Sequence, residues 1–154
     1  MKLFAIALLS LSFSAFSQNS ETVLTDSAEV RAAIDQLFTG MKNGDSTMVA
    51  EVFHPDIQMM STFTDKEGNP KSHKGSAAEF KNAVGTPHDQ VWDERISNVQ
   101  IQIDGNLAQV WMDYSFYLDE KLSHCGVNAV QLFKTENGWQ MVHLADTRRR
   151  SDCN

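Results

Sequence analysis

His124 and Asn128 stand four residues apart in one apolar-alternating run, with Trp111 and Asp113 in the run before it and His143 in the run after. Residues four apart on a strand share a face, because the side-chain period is two. A histidine near a carboxylate is the pairing that a general base requires, and an asparagine amide or an indole N–H can hold an oxygen as charge develops on it. His124 and Asp113 are therefore the candidate catalytic pair. Trp111, Asp113, His124, Asn128 and His143 are the expected lining of a ligand pocket. Arg149 joins them from the run Arg148-Arg149-Arg150: alternate arginines face opposite ways, and Thr147 and Arg149 fall on the pocket side. A guanidinium at a pocket mouth binds carboxylate or phosphate. The plainer alternative is that Asp113, His124 and Asn128 satisfy one another at a sheet end.

Other chemistry lacks its residues. The five histidines, His54, His73, His88, His124 and His143, make no metal-ligand spacing. No glycine-rich phosphate loop and no nucleophile elbow occurs. Neither a metal nor a cofactor is expected. Met59 and Met60 read as core filler. Cys125 and Cys153 leave two readings open. The tail folds back and brings the Cα atoms within about 7 Å, allowing a disulfide, or Cys125 is a packed, inert thiol.

The elements that position these residues are strands. Asn137-Gly138, the preferred two-residue hairpin pair, separates Val127–Lys134 from Trp139–Leu144. Asp119-Glu120 separates Leu107–Leu118 from Lys121–Lys134, and Asp104-Gly105-Asn106 separates Val91–Ile103 from Leu107. Four strands in an antiparallel meander follow. An even loop at Asp119-Glu120 places Tyr114 beside Cys125 and Met112 beside Val127. One face then carries Val110, Met112, Tyr114, Phe116, Cys125, Val127, Ala129, Phe133, Val142 and Leu144. The other carries Trp111, Asp113, Ser115, Tyr117, His124, Asn128, Val130, Leu132, Trp139, Met141 and His143. A bulge in any strand exchanges parts of these sets.

Upstream, Asp26 with Glu29 opens a helix whose stripe is Val30, Ile34, Leu37, Phe38 and Met41. Asp45 caps a short second helix with Met48, Val49, Val52 and Phe53 inward, and His54-Pro55-Asp56 stops it. Ile57–Phe63 is a strand, with Ile57, Met59, Ser61 and Phe63 on one side. Ser76-Ala77-Ala78-Glu79 is a capping box that opens a third helix, with Phe80 and Val84 inward.

Residues 1–17 have the form of a signal peptide: Lys2, a short apolar run, then Ala15 and Ser17 ahead of Gln18. The run is too short to span a bilayer. Residues 18–25 read as a flexible leader, 26–150 as one domain and 151–154 as a tail. Without Lys2 the chain carries 12 basic and 20 acidic residues and stands at −8. An acidic, exported domain offers no electrostatic reason to bind nucleic acid or anionic membrane.

Two helices ending in Phe53-His54-Pro55-Asp56, a small strand pair, a third helix and a meander ending in Gly138-Trp139-Gln140-Met141 resemble the nuclear-transport-factor-2-like superfamily, closest to its small secreted SnoaL-like members. The resemblance covers residues 27–149. It implies an α+β cone, a curved antiparallel sheet wrapped around three helices (a cystatin-like roll), with a pocket in the open end and the Trp139 face concave. Ketosteroid isomerase, a member of that superfamily, pairs an Asp base with Tyr and a protonated Asp. Adjacent Asp113 and Tyr114 point to opposite faces, so that assignment is not carried over. The expected function is binding of a small molecule. Alternatives are an acid–base lyase, isomerase or hydrolase using His124 and Asp113, and a scaffold with a vestigial pocket. A homodimer is expected through the apolar face holding Val110, Met112, Tyr114 and Phe116, a patch larger than monomers usually expose.

Export predicts cleavage after Ser17. Amino-terminal sequencing of secreted protein should begin at Gln18; full-length chain in the cytoplasm would contradict it.

Overall fold

The computed structural model describes residues 14–153, and side chains from residue 22. Residues 1–13, most of the expected signal segment, lie outside the described residues. Helix α1 (Ser14–Asn43) is followed by α2 (Ser46–Val52), β1 (Phe53–Thr64), β2 (Pro70–Gly75), α3 (Ala77–Gly85), β3 (Trp92–Asp104), β4 (Leu107–Leu118), β5 (Lys121–Thr135) and β6 (Gly138–Arg148). The strands form one sheet in the order β2-β1-β6-β5-β4-β3. Every neighbouring pair is antiparallel except β1 with β6, which is parallel. The expected meander is β3 to β6, and the curved sheet with its helices is the α+β architecture expected.

The stripe Val30, Ile34, Leu37, Phe38 and Met41 is buried, as its 3.6-residue spacing requires. The 18–25 stretch, expected as a loose leader, is helical and continuous with α1. No glycine or proline interrupts it, so nothing in the sequence stops the helix there. Asp26 consequently does not cap the helix. It is buried and forms an ion pair with Lys134 of β5, which also lies 3.8 Å from Glu29. The other two caps are as expected. Asp45 accepts from the backbone N–H groups of Thr47 (2.9 Å) and Met48 (3.1 Å), and Ser76 accepts from that of Glu79 (3.3 Å).

The sheet departs from the expected register in both β5 and β6, and the turn at Glu136-Asn137 pairs Thr135 with Gly138 where an Asn137-Gly138 turn would pair Glu136 with Trp139. Leu118 pairs with Lys121 and Tyr117 with Leu122, as a two-residue turn dictates. Phe116 then pairs with His124, leaving Ser123 as the extra residue of a bulge. Beyond it Tyr114 faces Gly126, not Cys125, and Met112 faces Asn128, not Val127. The shift reverses the face of β4 relative to the rest of β5. Ala108, Val110, Met112 and Tyr114 point inward with Val130, Leu132, Trp139 and Met141, and all eight are buried. Trp111, expected inward, lies on the outer face and is 47% exposed. The β4 part of the patch offered for homodimerisation, Val110, Met112 and Tyr114, is therefore internal, while Phe133 of the same expected face is 42% exposed. Val110 and Met112 are fully covered within one chain and cannot meet a second copy. A second bulge, at Val142 of β6, keeps Trp139 and Met141 inward while turning Leu144 and Asp146 inward as well.

The tail folds back. Cys125 and Cys153 form a disulfide with Cα atoms 5.7 Å apart. Cys125 and Arg149 exchange two backbone hydrogen bonds of 2.9 Å beside it. The bridge closes 28 residues of chain and ties the end of β6 to β5. Replacing both cysteines by serine should lower unfolding stability by about 2–4 kcal/mol, mainly by freeing the unfolded chain. Urea denaturation of the oxidised protein against the double variant measures it; a loss below about 0.5 kcal/mol, the scale of a surface change, would contradict the bridge.

Candidate functional site

Between the helices and the inner face of the sheet lies a cavity of about 320 Å³. Helix α1 supplies Leu37, Phe38 and Met41, and α3 supplies Phe80, Ala83 and Glu79. Met59 of β1 and Leu144 of β6 extend the apolar wall. Five strands aim polar groups into it: Ser61 from β1, Glu94 from β3, Tyr114 from β4, Asn128 from β5, and Asp146 and Arg148 from β6. The bulges at Ser123 and Val142 set the inward direction of Tyr114, Asn128, Asp146 and Arg148.

The polar groups are organised in two sets. Asn128 donates through Nδ2 to Glu94 Oε1 at 2.7 Å. Asp146 accepts from the Ser61 hydroxyl, and its Oδ2 lies 3.1 Å from the Tyr114 hydroxyl and 3.7 Å from Arg148 Nε. The Tyr114 hydroxyl also reaches the Thr147 carbonyl at 2.9 Å, so its one proton is shared between two acceptors. That reach depends on Gly126. A Cβ there would stand 1.8 Å from the Thr147 carbonyl oxygen and 2.7 Å from Cε1 of Tyr114. Only glycine lets the Tyr114 ring and β6 close over β5.

Burial dominates the electrostatics. It pushes the Glu94 carboxyl up to about 7, reinforced by the nearby Asp146 charge and opposed by the Asn128 hydrogen bond and by Arg148. Glu94 thus exchanges its proton near neutrality. The Tyr114 hydroxyl is pushed far above its ordinary value by burial and then by the Asp146 and Glu94 charges, so it remains a donor. The site can therefore hold a small molecule between apolar walls, offer it donors and acceptors, and move one proton at Glu94.

The residues expected from sequence are dispersed. Asn128 lines the cavity. Trp111 and Asp113 are on the outer face, where Asp113 accepts from Asn98 Nδ2 at 2.7 Å. The register shift at Ser123 put them there. His124 is on the inner face but one row beyond Tyr114, outside the cavity. It stacks on Phe116 at 4.8 Å and meets Tyr114 edge-on at 5.8 Å. Burial, then the Arg148 charge, lowers it to about 4, so it is neutral near pH 7. The His124–Asp113 pair is therefore not assembled. His143 pairs with Gln131 and Gln58 off the cavity. Arg149 lies away from the cavity, its Nε 3.4 Å from the Asp152 carbonyl; the arginine at the cavity is Arg148. Glu94, Tyr114 and Asp146 were not foreseen. Their signal was a charged or hydroxyl residue at the inward parity of a strand that is otherwise apolar on that side. Among the described residues, no three His, Cys, Asp or Glu side chains are grouped to hold a metal.

Comparison with known proteins gives a family match. A family model described as "Putative lumazine-binding" matches residues 25–144. No curated protein matches. Among solved structures, a nuclear-transport-factor-2-like protein with a cystatin-like fold from Novosphingobium aromaticivorans aligns with a TM-score of 0.72 at 13% identity, covering 94% of this chain and 95% of its own. A superfamily protein from Salmonella enterica aligns at 0.65 and 17%, covering 85% and 96%. A third, from Streptomyces avermitilis, is described as a "putative dehydratase" of the nuclear-transport-factor-2-like family; it aligns at 0.59 and 13%, covering 82% and 98%. At such identities the likeness is one of fold.

Glu94 and His124 give opposite pH dependences. Glu94, raised from 4.5 to about 7 on folding, contributes stability that is full below 4.5 and is lost as pH rises to 7. His124, lowered from 6.5 to about 4, contributes stability that is full above 6.5 and is lost as pH falls to 4. Glu94→Gln should therefore gain on the wild type as pH rises from 4.5 to 7, by about 2 kcal/mol after allowing for water at the cavity wall. Denaturation midpoints of the two proteins across that range measure the gain, and parallel curves would contradict it.

Proposed function

The chain belongs to the putative lumazine-binding family, and from that premise we propose that its cavity binds one small, flat ring molecule with a polar edge, with lumazine-like compounds as the leading class. The observation that carries the reading is an apolar cavity of about 320 Å³ into which Glu94, Asn128, Tyr114 and Asp146 converge. Phe38, Phe80 and the methionines Met41 and Met59 offer polarizable walls to a ring. A lumazine ring alternates N–H and carbonyl groups along its edge, and the Glu94–Asn128 pair presents acceptors and an amide to such an edge.

A second reading has its own support. A carboxyl poised near 7 in a cavity is what an acid–base catalyst needs, so Glu94 could transfer a proton while the Tyr114 hydroxyl holds an oxygen of the substrate. A lyase or isomerase of this kind is consistent with the dehydratase description of one structural relative. In either case the mature chain is proposed to start at Gln18 and to work outside the cytoplasm. The targeting pattern of residues 1–17 and the Cys125–Cys153 disulfide support that location.

Native mass spectrometry of the protein taken from its own cells, without refolding, tests the binding reading. The wild type should carry an additional small-molecule mass, and Ala83→Trp, which fills the cavity from α3, should not. Bare wild-type protein, or an equal adduct on both, would overturn it.

A further inference from the structure

The sheet pairing sorts the cavity face into three cross-strand rows on β2, β1 and β6. The first is Gly75–Met59–Leu144, the second His73–Ser61–Asp146 and the third Lys71–Phe63–Arg148. Residues two apart share a face and lie about 7 Å apart along a strand. The rows therefore descend from an apolar floor, through a hydroxyl–carboxylate step, to an outer row of two cations around one aromatic ring. Phe63 is 40% exposed, and the side chains of Lys71 and Arg148 are 54% and 52% exposed. Neither cation is held tightly. Lys71 Nζ is 3.6 Å from Asp65, and Arg148 Nε is 3.7 Å from Asp146, both longer than a charge-assisted hydrogen bond. Asp65 is already occupied by the backbone N–H groups of Glu67 and Asn69.

The charge inside has the other sign. Glu79, Glu94 and Asp146 all border the cavity, and Arg148, from the outer row, is its only cationic lining residue among those described. An anionic group would be repelled from the interior and attracted to the outer row.

We infer that the molecule taken by this cavity is two-part: an uncharged ring or apolar head seated against Met59 and Leu144, and an oxyanion, carboxylate or phosphate, held at the outer row by Lys71 and Arg148 beside Phe63. This rests on the binding reading above and adds the ligand's charge and its orientation. Lys71 and Arg148 are then specificity-determining residues, and Phe63 covers the linking segment of the ligand.

A matched pair of environment-sensitive dyes separates the two readings. Anilinonaphthalene sulfonate carries an aromatic head and one oxyanion; phenylnaphthylamine is the same head without the charge. Both are titrated by fluorescence into the mature protein, its Ala83→Trp variant, and the Lys71→Gln and Arg148→Gln variants, each checked for folding by circular dichroism. The sulfonate should bind the wild type roughly tenfold tighter than the neutral dye, the scale of one or two charge-assisted contacts, with an advantage that shrinks as salt rises. Lys71→Gln and Arg148→Gln should each reduce that advantage, and Lys71→Gln, a change outside the cavity lining, should leave the neutral dye unchanged, while Ala83→Trp should weaken both dyes. Equal wild-type affinities, or an advantage untouched by both charge variants, would overturn the oxyanion assignment and leave the cavity reading standing. Failure of both dyes to bind, or binding indifferent to Ala83→Trp, would overturn the two together.

Discussion

Burial on the inner face of β4 and β5 is the constraint from which the site follows. Ala108, Val110 and Met112 share one buried core with Val130, Leu132 and the α1 stripe, and each of the five strand residues is fully buried. A two-residue turn at Asp119-Glu120 would put one strand's apolar set against the helices and the other's in water. The bulge at Ser123 removes that conflict by advancing β5 one residue past β4. The same step aims Tyr114 inward, sets it opposite Gly126 and brings its hydroxyl to Asp146. Core packing and the placing of Tyr114 thus follow from one inserted residue, and a second, at Val142, turns Asp146 toward it.

The polar groups inside are costly to bury. Asn128 and Asp146 are more than nine-tenths covered, and Glu94 stands close enough to Asp146 for the two charges to oppose each other. A fold selected for stability alone would replace such a cluster by apolar side chains of similar volume. Here it is retained and internally hydrogen-bonded, with apolar walls opposite it. A preformed cavity with fixed donors and acceptors lowers the ordering cost of binding, which is what a ligand site gains from rigid strands. The disulfide contributes by anchoring β6 just beyond Asp146 and Arg148, where a free strand end would fray.

Much of the architecture was legible in the sequence. The Asp45 and Ser76 caps and the 3.6-residue stripe of α1 are local signals, and each element they mark is present where its residues place it; Asn137-Gly138 marked the β5–β6 hairpin, but its turn lies one residue earlier, at Glu136-Asn137, with Thr135 paired to Gly138. The inward set Val130, Leu132, Trp139 and Met141 was legible too, because it lies between the two bulges on an uninterrupted alternation. Bulges were not legible. Ser123 and Val142 carry no local mark, and one residue of slip exchanges the faces of everything beyond it. Asn128 kept its place in the site, whereas Trp111 and Asp113 lost theirs. Arg148 and Arg149 exchanged roles for the same reason of parity. Glu94 and Asp146 were hidden because a carboxylate on a strand usually means a solvated face, and only three-dimensional burial shows otherwise.

We propose the space between α1, α3 and the inner face of the sheet as a ligand site with Glu94 and Asn128 at its polar wall. A crystal structure of the protein purified from its own cells without a denaturing step tests that most directly. Density for a small molecule should lie between Phe80 and Asn128, with a ligand atom within hydrogen-bonding distance of Glu94. A cavity closed by Phe80 and Met59 packing against Asn128, or a ligand bound on the outer face at Trp111, would contradict it.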